Sequence, residues 1–143
     1  MKPEPSPARR ALEAAQAALA AEHAAAYAYG VIGARASAAR AAEAREAYGG
    51  HLARRDALVR SVREMGGAPR PAEPAYALPY DCLLYIEDRV AGAYSDLVRA
   101  ADGRLRREAA DALSAAAVRA ARWRGVGVAF PGLTERAEPA RTS

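Results

Sequence analysis

The sequence is poor in cysteine and lysine, and each shortage limits what the chain can be. Cys82 is the single cysteine, so no intrachain disulfide can form and a reducing cytoplasm is the expected location. Lys2 is the single lysine, and the other basic residues are arginines, which we interpret as a compositional bias. The net charge of +4 is too small and too dispersed to predict nucleic-acid binding.

Long apolar runs are missing as well. No stretch approaches the ~18 apolar residues that a membrane span needs. The first residues, Met-Lys-Pro-Glu-Pro-Ser-Pro, lack the apolar region of a signal peptide. The sequence therefore predicts a protein without a membrane or a nucleic-acid partner.

Alanine, leucine, arginine and glutamate dominate the composition, and β-branched residues are few, which favours helix almost everywhere. A chain of 143 residues predicts one domain. We expect a disordered, proline-rich arm at residues 1–7, a single domain at 8–133 and a disordered tail at 134–143. Such a chain can bury about 68–70% of its unfolded surface, which is enough for one core.

Four helices are predicted from the positions of serine, proline and glycine, at residues 7–34, 38–65, 81–101 and 104–124. Two of the connections are short, so helices 1 and 2, and helices 3 and 4, are expected to be antiparallel neighbours. The segment 68–80 contains four prolines and cannot be helical. Fully extended, it could reach about 43 Å at ~3.3 Å per residue. It therefore predicts a long crossover, with helix 3 parallel to helix 2.

Two carboxylates fall on the apolar faces of these helices. Glu22 shares a stripe of helix 1 with Leu19 and Tyr29, and Glu87 lies on the apolar stripe of helix 3. A buried carboxylate is costly unless a partner pairs with it or a metal ion binds it. What these two residues contact is therefore the central functional question.

Five segments together resemble a family of small ferritin-like domains of unknown function found mainly in actinobacteria. They are residues 20–30 (AAEHAAAYAYG), 51–56 (HLARRD), 74–79 (PAYALP), 87–90 (EDRV) and 119–124 (RAARWR). The resemblance covers about residues 10 to 133. It implies an all-α, ferritin-like four-helix bundle and brings no activity with it.

Ferritin-like di-metal proteins place a Glu on each of two helices and Glu-x-x-His on each of the other two. Glu22 and Glu87 occupy the single-Glu positions, and helix 2 keeps the imidazole but not the second carboxylate, as Tyr48-x-x-His51. Helix 4 has Arg119 and offers no ligand. The ligand set for iron or manganese is thus half lost.

Arginines on the inward faces suggest what replaces the metal, since a guanidinium can neutralise a carboxylate directly. We expect one core polar cluster in which removing an arginine would cost about 3–5 kcal/mol if the cluster is buried. Its predicted members are Glu22, Tyr48, His51, Arg55, Glu87 and Arg119.

The favoured hypothesis is a metal-free bundle without catalytic residues or a cofactor, which acts by self-association, as a homodimer, or by binding a protein partner. One alternative is an oxidase or peroxidase-like enzyme with iron or manganese on Glu22, His51 and Glu87. A second alternative is a small-ligand binder that uses the polar core pocket. Cys82 is expected to be a buried structural thiol.

Overall fold

The computed structural model describes residues 1–35, 37–79 and 81–124, and this part of the chain is all-α. Its four helices are α1 (Pro7–Gly33), α2 (Ala38–Glu64), α3 (Cys82–Ala100) and α4 (Gly103–Arg124). Each end lies within one residue of the predicted one, so the prediction of four helices is confirmed. The predicted domain end at residue 133 and the tail at 134–143 lie outside the described residues. No described helix is both long and apolar enough to cross a bilayer.

Local chemistry sets the helix ends. The Ser6 side chain accepts a hydrogen bond from the backbone N–H of Arg9 at 3.2 Å, which caps α1. After α2, Gly66 adopts a φ of +81° and the N–H of Gly67 bonds to the carbonyl of Val62 at 2.9 Å. This left-handed turn is the Schellman motif, which favours glycine because a Cβ atom strains that conformation.

Contacts between helices define their directions. Arg104 pairs with Glu64 at 2.8 Å and Arg122 pairs with Glu43 at 3.1 Å, so α2 and α4 are antiparallel. A Cβ atom at Gly67 would lie 2.7 Å from Leu12, so the end of α2 lies against the start of α1. Hydrogen bonds between residues 29 and 87 and between 22 and 94 make α1 and α3 antiparallel. Consequently α2 and α3 run in the same direction.

The core is unusually rich in alanine, which lets the helices approach closely. α1 packs against α2 and α3, and α3 packs against α4, whereas α2 and α4 make fewer contacts with each other. The largest fully buried apolar side chains are Tyr29, Leu19, Leu97, Val62 and Val90. The bundle is therefore tightly closed on three sides and looser between α2 and α4.

The proline-rich segment after α2 lies along α1. The Gln16 amide donates to the Ala68 carbonyl at 2.6 Å and accepts from the Arg70 N–H at 2.9 Å. Farther along α1, the rings of Tyr27 and Tyr76 lie 5.5 Å apart. These contacts hold an extended segment that has no helical hydrogen bonds of its own.

Candidate functional site

His51 lies between the two buried carboxylates. Its Nδ1 is 2.5 Å from Glu22 Oε2 and its Nε2 is 2.9 Å from Glu87 Oε1. All three side chains are fully buried. One imidazole on α2 thus joins carboxylates from α1 and α3.

Two tyrosines extend this network. The Tyr94 hydroxyl donates to Glu22 Oε1 at 2.6 Å, and the Tyr29 hydroxyl donates to Glu87 Oε1 at 2.6 Å. The Tyr29 ring also stacks on the imidazole with centroids 5.2 Å apart. We call Glu22, Tyr29, His51, Glu87 and Tyr94 the acid–histidine cluster. Its hydrogen bonds are short because each has a charged acceptor.

The surroundings fix the protonation states of the cluster. Burial alone would lower the pKa of His51, but hydrogen bonds to Glu22 and Glu87, together with their charges, raise it to about 8. Burial and the adjacent carboxylates raise the pKa of Tyr29 and of Tyr94 far above the usual range. At neutral pH the cluster therefore contains an imidazolium and two neutral hydroxyl donors.

The two halves of the bundle repeat one pattern. Glu87, Tyr94 and Arg119 follow one another at the same spacing as Glu22, Tyr29 and Arg54. Each tyrosine bonds to the glutamate of the other half, so α1 and α3 are joined reciprocally. The position equivalent to His51 is Ala116, which has no polar side chain, and Glu87 Oε2 is buried without a hydrogen-bond partner among the described residues. One histidine therefore serves both carboxylates.

The structure places three predicted members of the cluster elsewhere. The Tyr48 side chain is 38% exposed, and Arg55 pairs with Asp56 at 2.9 Å near the surface. Arg119 is half-buried and, within the described part, forms no ion pair with either carboxylate. Among the described residues, His51, Tyr29 and Tyr94 provide the hydrogen bonds that these carboxylates accept. The flexible stem of Arg55 carries its guanidinium group to Asp56 instead. We expected Arg55 or Arg119 to neutralise Glu22 and Glu87 in place of a metal ion, but among the described residues His51 pairs with both carboxylates.

The ligand set considered for iron or manganese, Glu22, His51 and Glu87, does converge, but its geometry does not fit a metal centre. A histidine ligand must offer a ring nitrogen lone pair, and both nitrogens of His51 face carboxylate oxygens. Among the described residues, no group of three or more His, Cys, Asp or Glu side chains is arranged so that it could hold a metal ion. As built, a protonated His51 hydrogen-bonds to both carboxylates and offsets one of their two charges.

Cys82 opens α3 and is 4% exposed. Burial raises the pKa of its thiol. A protonated, buried thiol is a poor nucleophile. Cys82 therefore contributes packing at the start of α3.

A second polar feature lies beside the cluster, between α2 and α4. A Cβ atom placed on Gly50 would lie 3.0 Å from Arg119 Nη2 and 3.3 Å from Arg54 Nη1. The two guanidinium groups, which we call the arginine pair, therefore approach each other over one residue without a side chain. Neither forms an ion pair with a described acidic residue, and Arg119 Nη1 is buried without an acceptor in the same part of the chain.

A cavity of about 310 Å³ begins at Arg54 and follows the loose side of the bundle. We call it the α2–α4 cavity. Alanines from both helices and Tyr94 of the acid–histidine cluster contribute to its wall. Its residues are Ala53, Arg54, Ala57, Leu58, Ser61, Tyr94, Leu97, Leu105, Glu108, Ala109, Asp111 and Ala112.

Sequence reasoning gave no specific partner role to Tyr29 and Tyr94, and it did not single out Arg54. The repeated Glu-x6-Tyr spacing, at Glu22 and again at Glu87, is the signal that indicates them. A spacing of seven residues returns a side chain to nearly the same helix face. Each tyrosine therefore had to lie on the same inward stripe as a glutamate.

A comparison with known protein families finds a match that covers most of the chain. Residues 14–135 match the domain of unknown function DUF4439. The chain belongs to this family. No curated protein matches the sequence of this DUF4439 member.

One similar solved structure is that of a conserved hypothetical protein from Mycobacterium tuberculosis. The two are 28% identical, with a TM-score of 0.77, over 81% of this chain and 96% of the other. The DUF4439 fold described above is thus also found in a crystal structure.

Proposed function

We propose that this protein is a ferritin-like bundle in which the acid–histidine cluster replaces a di-metal centre, and that it acts by binding rather than by metal-dependent oxidation. The ferritin-like assignment is supported by the direction of the helices, since α2 and α3 are parallel and a long segment joins them. It is supported also by the positions of Glu22 and Glu87 on α1 and α3.

The metal-free proposal depends on one observation: both ring nitrogens of His51 are at hydrogen-bond distance from a carboxylate oxygen. An imidazolium between two carboxylates supplies the positive charge that a metal ion would otherwise provide. A raised pKa of about 8 keeps this charge in place at neutral pH.

The test is elemental analysis of protein expressed in medium supplemented with iron and manganese. We expect less than about 0.1 metal ion per chain, because binding at His51 would have to displace a buried hydrogen bond to a carboxylate. Glu22→Ala serves as the comparison variant. One or two ions per chain in the wild type, lost in Glu22→Ala, would overturn the proposal and revive the oxidase alternative.

We also propose that the protein forms a homodimer. Three large apolar side chains are exposed on different helices, Tyr48, Tyr85 and Val118, at 38%, 52% and 56%. Aromatic side chains are enriched at the centres of interfaces. Light scattering at high micromolar concentration should give twice the chain mass of 15.0 kDa, and a monomer mass would contradict the proposal.

A further inference from the structure

The charges around the arginine pair do not balance within the described part of the chain. Counting Glu22 and Glu87 as ionised and His51 as protonated, the buried groups carry one net negative charge. Arg54 and Arg119 reverse the sign and leave one net positive charge. Two neighbouring guanidinium groups repel each other unless an anion lies between them. A single negative charge would balance these groups, whereas Glu108 and Asp111 of the cavity wall are exposed and lie outside this count.

The donor geometry suits a carboxylate. Each guanidinium presents planar N–H groups that match two carboxylate oxygens, and Arg119 Nη1 is a buried donor without an acceptor among the described residues. Gly50 keeps the space next to both groups free of a side chain. Without a side chain at Gly50, the ends of both guanidinium groups lie side by side against the backbone of α2, where one carboxylate can accept from both.

Of the arginine pair, Arg54 lines the α2–α4 cavity, and Arg119 lies next to Arg54 outside the lining. From Arg54 the cavity continues between leucines and alanines. Leu58, Leu97 and Leu105 supply an apolar wall, and a volume of about 310 Å³ lies within the range of small-molecule sites. Acidic residues Glu108 and Asp111 also line it, and both are exposed. Such a rim repels a polyanion more strongly than a monoanion.

We propose that the α2–α4 cavity binds an apolar monocarboxylate. The arginine pair holds the carboxylate, and the apolar body lies along Leu58, Leu97 and Leu105. This inference rests on the proposed function in treating the protein as a binding module. It adds the chemical class of the ligand, which is a medium-chain or aromatic acid rather than a nucleotide or free phosphate.

The test is calorimetric titration of the full chain with decanoate. We expect one decanoate per chain, and we expect Arg54→Gln and Arg119→Gln each to weaken binding by about tenfold or more, because each loses a charge-assisted hydrogen bond. Arg122→Gln is the matched control, since Arg122 lies one turn beyond Arg119 and pairs with Glu43. Its affinity should equal that of the wild type.

The Gly50→Ala variant distinguishes a loss of decanoate binding from a failure to fold. Its Cβ atom would displace the flexible ends of both arginines, so decanoate binding should weaken. Alanine is the better helix former, so the midpoint of thermal unfolding should stay the same or rise. Loss of affinity without loss of stability separates this effect from misfolding.

Two further ligands test the head group and the body. Decanol has the same chain without the charge, and inorganic phosphate has charge without a chain. Both should bind at least about tenfold more weakly than decanoate. Equal binding of decanol, equal binding of phosphate, no binding of decanoate, or equal weakening by Arg122→Gln would each overturn the inference.

Metal content measured on the same preparation keeps the two proposals apart. Decanoate binding by protein that also contains iron or manganese would defeat the metal-free proposal and leave the ligand assignment standing. Protein without metal that ignores decanoate would defeat the ligand assignment alone.

Discussion

The acid–histidine cluster and the arginine pair are neighbours in one bundle, but they solve the problem of buried charge differently. In the cluster, opposite charges from α1, α2 and α3 meet at hydrogen-bond distance. In the arginine pair, like charges from α2 and α4 meet where those helices pack less closely. The first arrangement is nearly complete within the described residues, where Glu87 Oε2 alone of its oxygens lacks a donor, whereas the second has donors without acceptors. A closed polar network stabilises a fold, and an open one can bind a partner.

The largest expected effect comes from removing the histidine of the acid–histidine cluster. His51→Ala removes the cation that pairs with both Glu22 and Glu87 and leaves two buried carboxylates facing each other. We expect it to lower the free energy of unfolding by about 3–5 kcal/mol. Urea denaturation at pH 6 measures the change.

His23→Ala is the matched control for this variant. His23 bonds at the helix edge to the Arg70 carbonyl at 2.9 Å, so its removal should cost less than about 1.5 kcal/mol. Adding Glu87→Gln to His51→Ala should restore part of the loss, because an amide carries no charge. Equal, small losses for the two histidine variants would show that the cluster is not held by the imidazolium.

The helix ends and the inward position of the two carboxylates could be predicted from the sequence, because both depend on local features of the chain. Serine, proline and glycine positions define helix ends locally, so Ser6 and the Gly66–Gly67 pair indicated where α1 begins and α2 ends. Helical periodicity placed Glu22 and Glu87 on inward faces, because the direction of a side chain from a helix follows from its position.

The partners of those carboxylates were harder to predict. Arg55 lies four residues after His51 and therefore on nearly the same face of α2. Its long side chain nevertheless lets the guanidinium group reach Asp56 instead of the carboxylates. The reach of a flexible side chain depends on its neighbours in space, which periodicity does not supply. Histidine and tyrosine are stiffer, so their hydroxyl and ring positions follow the backbone more closely.

The pH dependence of stability should sharpen the comparison further. The folded state raises the pKa of His51 from 6.5 to about 8, so folding favours the protonated form. The stabilisation is complete below pH ~6.5 and is lost as pH rises through ~8. A pKa difference of roughly 1.5 corresponds to a loss of about 2 kcal/mol.

Urea unfolding between pH 6 and 9 measures this loss. His51→Gln is the control, since it retains a polar side chain but cannot titrate, and the difference between the two curves removes contributions from other groups such as His23. We expect the wild type to lose stability across this range and the variant to lose little. A wild-type stability that rises from pH 6.5 to 8 would contradict the assigned charge on His51.

The smallest effect should come from Arg55→Ala. The side chains of Arg55 and Asp56 are 33% and 57% exposed, so water already solvates both charges and their ion pair adds little. Exposed pairs contribute about 0.2–1 kcal/mol, and the change in unfolding free energy should stay below about 1 kcal/mol. Arg55 is only four residues from His51 on the same helix, so the contrast with His51→Ala isolates burial from position along the chain. A loss of about 3 kcal/mol or more would mean that Arg55 reaches the buried carboxylates in solution and that arginine, as well as histidine, neutralises them.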